Sequence, residues 1–119
     1  MMVFMAETLK RPLWVAPGTI VNGVRQYGTP VSYRWGWHHT NTDVDMKAFG
    51  PQYVDYRRAI VPNSAVDNIK VFDRAWLESE PADLTDPLAS DADFFISSIE
   101  RGAGGTARVM FKRLSPDAG

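Results

Sequence analysis

Few side chains in this sequence have the types to do chemistry, and most of those are badly spaced for it. His38 and His39, followed by Asp43 and Asp45, form a cluster with metal-ligand residue types. Adjacent residues on a strand point to opposite faces, so the two imidazoles cannot readily share one ion. They also lack the i, i+4 spacing of helical zinc sites, and they are expected simply to close an aromatic strand. Nucleophilic catalysis needs a Ser, Thr or Cys beside a His and an orienting acid. The chain has no Cys, and no G-x-S-x-G motif surrounds any serine. Asp91 and Asp93 form a carboxylate pair, but in a stretch expected to lie open to water, where an unshifted carboxyl is a poor acid near neutral pH. RGAGG (101–105) lacks the strand–loop–helix setting and the G-K-[ST] ending of a phosphate cradle, so it reads as a hairpin turn. No catalytic, cofactor-binding or metal-ligating residue is assigned, no cofactor is expected, and the chain is not expected to be an enzyme.

Two features keep nucleic acid in view. YRWGW (33–37) interleaves aromatic rings with Arg34, as single-strand-binding platforms do, although a strand face lined with rings is also what a core requires. Arg57 and Arg58 are adjacent, so on a strand at most one of them faces a given surface. The net charge of −1 argues against a general nucleic-acid binder. The charge is uneven, however: residues 1–63 carry seven Lys/Arg and four Asp/Glu, and residues 64–119 carry six and ten. Head-to-tail contact between a basic and an acidic surface would use that polarity, and unequal solvated faces would leave the same pattern.

The elements that must position these residues read as short strands. Residues 1–18 (with RPLWVAPG, two prolines and no period) are expected to form an arm, docked on a neighbouring subunit or closing the chain's own barrel as a strand-like segment. TIVN (19–22) is β-branched, and Asn22-Gly23 signals a type I′ hairpin turn if strands flank it. In 29–39, Val31, Tyr33, Trp35, Trp37 and His39 fall on one face of a period-two strand. Residues 40–51 read as a long loop with room for a helical turn capped by Asp43. QYVDYRRAIVP (52–62) is the next strand, with Val54, Tyr56, Arg58 and Ile60 on one face and Arg57, Ala59 and Val61 on the other. NIKVFDRAWLE (68–78) places Ile69, Val71, Ala75 and Leu77 on one face, interrupted by Asp73, and Phe72 and Trp76 on the opposite one. Large apolar groups on both faces predict a strand covered twice or lying at an assembly surface. Residues 78–93 hold six acids, no base and two prolines, an exposed loop. FFISSIE (94–100) and TARVMFKRL (106–114) are strands, and 115–119 is a tail.

Short strands at this spacing predict a small antiparallel β-barrel or sandwich with long loops and an extended N-terminal arm. At 119 residues there is room for a single domain spanning 1–119, whose small size raises the prior for association. Without cysteine there is neither a disulfide framework nor a thiolate metal site. The N-terminus does not read as a signal peptide, and no run of 18 apolar residues spans a membrane.

VFDRAWLESEP (71–81) followed by DADFFISSIERGAGGTARVMFKRL (91–114) resembles the small minor capsid or head–tail connector proteins of tailed bacteriophages. GTPVSYRWGWHHT (28–40) is similar to the way such proteins open, and DYRRAIVP (55–62) to their following strand. The chain departs from that pattern in a longer acidic loop and in Phe72, which stands where a Gly would precede Asp73. The resemblance implies a head-closure (stopper) subunit of the virion neck, assembled in the host bacterial cytoplasm. It would form a six- or twelve-fold ring with copies of itself, bound to a portal or adaptor protein on one side and a tail-terminator or tail-tube protein on the other. Genomic double-stranded DNA would pass through the channel, and no membrane is involved. A tail-terminator subunit and an OB-like single-strand nucleic-acid-binding module are the alternatives. On physical grounds Trp14, Phe72 and Trp76 are the expected subunit-interface residues. Lys47, Arg57 and Arg58 are the expected channel cations, and Glu78, Glu80, Asp83 and Asp86 the expected partner-docking acids. Residues 40–51 and 78–93 are expected to be poorly ordered until a partner binds.

Overall fold

A computed structural model of the chain describes residues 10–39, 56–102 and 104–114. Its nine strands are β1 (Arg11–Ala16), β2 (Gly18–Val21), β3 (Val24–Tyr27), β4 (Val31–Trp35), β5 (Trp37–His39), β6 (Tyr56–Pro62), β7 (Arg74–Trp76), β8 (Phe94–Arg101) and β9 (Thr106–Arg113). Among the described residues a 3-10 turn, Asn63–Val66, follows β6. The pairing described is antiparallel throughout, in one seven-stranded sheet of order β4-β1-β7-β8-β9-β6-β5 and a separate β2-β3 ribbon.

The two ends of the large sheet, β4 and β5, are separated in the chain by Gly36 alone. One bent segment therefore pairs with β1 before the bend and with β6 after it. This is how a strand turns the corner of a sandwich. The sheet folds over its own core, so that Trp35 of β4 meets Phe111 of β9, its ring centroid 6.4 Å away. Leu13, Val15, Trp37, Ala59, Val61, Phe94, Ile96 and Val109 complete the packed interior. A bulge at Ile96/Ser98 kinks β8 and lets it follow this curvature.

The expected all-β architecture is what the chain adopts, with several local differences. Arg11–Ala16, within the expected arm, is an interior strand hydrogen-bonded to β4 and β7; its Leu13, Val15 and Ala16 are buried. In β6 the core face is Arg57, Ala59 and Val61, while Tyr56, Arg58 and Ile60 face outward. The long strand expected over 68–78 is a turn followed by the three residues of β7. The expected loop at 40–51 and Lys47 lie outside the described residues.

Candidate assembly surface

Asp73 is fully buried, and its carboxylate organises this side of the molecule. One oxygen accepts the backbone N–H of Gly18 (2.9 Å) and the other that of Lys70 (2.9 Å). The Lys70 ammonium donates to the Gly18 carbonyl (2.9 Å). The base of the β2-β3 ribbon is thereby fastened to the turn before β7. A second fastening comes from Tyr27, whose N–H donates to the Pro87 carbonyl and whose hydroxyl accepts from Arg74. Gly18 lies in a tight place: a Cβ would be 3.0 Å from both the Arg25 guanidinium and the Tyr27 ring, which would have to give way.

From that base the ribbon extends away from the sheet. Asn22 (φ 52°) and Gly23 (φ 79°) both sit in the left-handed region, as a type I′ turn requires. Ile20 is 60% exposed, and Val21 and Val24 are exposed as well. Among the described residues β2 and β3 pair with each other and with no further strand.

Phe72 lies beside the ribbon. The Asp73 N–H donates to the Lys70 carbonyl (3.1 Å), which makes residues 70–73 a turn with Phe72 at its third position. There Phe72 has φ 77°, the conformation of a type II turn that glycine adopts without cost. For a bulky residue it is strained by about 1–2 kcal/mol. Even so its side chain is 55% exposed, with Phe95 stacked at 6.3 Å and the Arg25 guanidinium 5.7 Å from the ring.

Pairing across the sheet places Arg74 opposite Phe95, Phe95 opposite Lys112, and Lys112 opposite Tyr56. Cations lie over neighbouring rings: Lys112 over Tyr56 (5.7 Å) and Arg74 over Tyr27 (5.4 Å). The outer face of β7, β8, β9 and β6 therefore alternates basic and aromatic groups.

Several expected site residues have other tasks. Trp76 is only 1% exposed: it packs with Ala16, Trp14 and Ala89 beneath the acidic segment, and its indole N–H donates to Asp91 (3.1 Å). Buried Trp76 thus has no ring face left for another subunit, while half-buried Trp14 packs against the same cluster. Arg57, expected in a channel, is only 4% exposed. It donates twice to Glu78 (3.1 and 2.7 Å) and lies against the Phe94 ring. Arg113 holds the other Glu78 oxygen at 2.8 Å, so Glu78 is an internal clamp rather than a free docking acid. Burial works to raise the Glu78 pKa, but the bonds from Arg113 and Arg57 outweigh it and hold the carboxyl below its usual range. Arg58 stays on the outer face, opposite His38 in the ladder. His38 and His39 are successive residues of β5, while Asp43 and Asp45 lie outside the described residues.

Residues 78–93 form the expected loop, but its acids bind the loop to itself and to β7. Asp93 accepts from the N–H groups of Leu77 and Glu78, and Asp91 from Ala82 as well as Trp76. Asp83 takes the N–H and hydroxyl of Thr85, and Asp86 the N–H of Leu88 and both donors of Ser90. These bonds, led by the Thr85 hydroxyl for Asp83 and the Ser90 hydroxyl for Asp86, lower both carboxyl pKa values. Glu80 is exposed, as are Leu84 (51%) and Leu88 (58%).

The chain matches no family model, no curated protein and no solved structure. The site is therefore read from its own geometry. Sequence reasoning overlooked Lys112, Arg74 and Arg25 as the cations of the outer face. A period-two reading of β9 and β6 in register would have found the first, but the register is set by long-range pairing.

Proposed function

We propose that this chain is a structural subunit of a tailed-phage neck ring, of the head-closure type, joining a portal or adaptor to the tail. The observation that carries the reading is the β2-β3 ribbon: exposed Ile20, Val21 and Val24 on a hairpin outside the main sheet, anchored at its base by buried Asp73. A rigidly based apolar ribbon is suited to joining one protein to another rather than to catalysis. The antiparallel sandwich supports the same reading, as does the resemblance over 71–81 and 91–114. In this role the ring is six- or twelve-fold and lies in the virion neck after assembly in the bacterial cytoplasm. It admits double-stranded DNA, and Arg58 and Lys112 on the outer sheet face are the described cations best placed to meet phosphate. A tail-terminator subunit is the nearest variant. The test is electron microscopy with mass measurement of the purified full chain, alone and with a portal–adaptor complex. Closed rings with a lumen wide enough for duplex DNA are expected, and a chain that never joins a ring with or without those partners overturns the reading.

One observation favours a second reading, a single-strand nucleic-acid binder. The alternating row Arg74, Phe95, Lys112 and Tyr56 has the composition of a base-stacking platform. Such a protein binds short oligonucleotides with an affinity that falls steeply as salt is added. A neck subunit binds them weakly at any salt concentration.

A further inference from the structure

Phe72 is strained and exposed at once, and nothing within the described chain offsets the strain by burying the ring. A conformation that costs energy persists where something else makes use of it. Around Phe72 lie exposed Val71 and three cations, Arg25, Lys70 and Arg74. Among the described residues these cations reach only neutral partners: Arg25 the Phe72 ring, Lys70 the Gly18 carbonyl, Arg74 the Tyr27 hydroxyl and ring. The acidic loop is the mirror case. Asp83 and Asp86 accept only from neutral N–H and O–H groups among the described residues, and those bonds favour their charged forms. Exposed Leu84 and Leu88 stand between and beside them. Among the described residues, each surface thus pairs exposed apolar side chains with charged groups that form no ion pair, and the two surfaces are opposite in sign.

We propose that the Phe72 corner of one molecule docks on the acidic loop of a second copy of this chain. The inference rests on the ring-subunit reading and names the surfaces that would join its copies. Leu84 and Leu88 of the second copy cover the Phe72 ring, while Asp83, Asp86 and Glu80 approach Arg25, Lys70 and Arg74. The loop's internal hydrogen bonds preorganise its carboxylates, so little ordering cost is left for association. In the ring reading each molecule offers its two patches to different neighbours, so the contact is head-to-tail and propagates to a ring or a filament. It weakens as salt screens the facing charges.

Sedimentation velocity of the full chain over a concentration series tests this with two variants. Phe72→Gly keeps the turn, since glycine accepts its conformation, and is expected to melt within a few degrees of the unsubstituted chain while associating at least tenfold more weakly. Leu84→Ser combined with Leu88→Ser is expected to weaken association equally from the other side. Each variant retains one intact surface, so mixing them is expected to give a one-to-one pair and nothing larger. A collapse in melting temperature for Phe72→Gly would make Phe72 a core residue and overturn the proposal. So would a mixture that forms no pair. Association that survives both sets of substitutions overturns this choice of surfaces and leaves the ring reading standing. An unsubstituted chain that stays monomeric alone at every concentration overturns the proposal, while the ring reading is judged with the portal–adaptor complex.

Discussion

Glu78 holds two guanidinium groups with one carboxylate, and the cost of losing it falls mainly on Arg57. Arg57 is nearly inaccessible to water, so Glu78→Ala takes from a buried cation the carboxylate that accepts two of its bonds and leaves it the Tyr56 carbonyl (2.9 Å). Removing one member of a fully buried pair costs about 3–5 kcal/mol; with Glu78 one-third exposed, about 2–3 kcal/mol is expected in urea unfolding. Arg113→Ala, by contrast, removes a half-exposed donor and is expected to cost about 1 kcal/mol or less. The same site sets an acid limb. The Glu78 pKa is lower folded than unfolded, so its contribution is complete above the ordinary glutamate value and is lost as pH falls through the folded one. Asp83 and Asp86 act in the same direction. Stability measured against pH is expected to fall on acidification, and Glu78→Gln to flatten that fall while lowering the plateau at neutral pH. A variant with an unchanged acid slope would show that the clamp does not titrate as described.

At the scale of elements, Asp73 is the fastening between ribbon and sheet. Asp73→Ala strands the buried N–H groups of Gly18 and Lys70 and is expected to cost about 3 kcal/mol or more, whereas Asp73→Asn keeps one acceptor and costs less. The acidic loop makes a second test. The amide protons of Leu77, Ala82, Leu88 and Ser90 are bonded to carboxylates, and exchange slower than in an unfolded peptide is expected for the isolated chain. Random-coil exchange across 78–93 would contradict the bonding seen. Strands whose signal is local were legible in the sequence. The Asn22-Gly23 turn and the β8–β9 hairpin appear where their residues place them, while the strand expected over 29–39 is broken at Gly36 into β4 and β5, with Trp35 and Trp37 both buried and Val31 exposed. What was illegible depends on distant partners. Arg57 is buried because Glu78 and Phe94 meet it, and Trp76 is covered because Asp91 and Ala89 return over it. Six acids without a base read as an open loop, since composition does not reveal that four of them, Asp83, Asp86, Asp91 and Asp93, accept backbone N–H groups of the segment. The turn at Phe72 was missed because its conformation favours glycine, and phenylalanine gives no turn signal.

Taken whole, the molecule is a sheet whose neighbours in space are mostly remote in the chain. Val15 of β1 pairs with Ala75, and Val61 of β6 with Ala107. Forming such contacts requires closing long loops first, so refolding in the millisecond-to-second range is expected by stopped-flow fluorescence of the four tryptophans. Microsecond refolding would be inconsistent with this topology. The interior position of β1 also bears on how the protein is made. Leu13 and Val15 leave the ribosome early, yet one of the two strands that shelter them, β7, is translated only after most of the chain. For that interval the nascent polypeptide carries an unfinished, apolar strand in the open. Its productive yield in a cell is therefore governed by how quickly translation delivers residues 74–76 and by the chaperones that attend the wait.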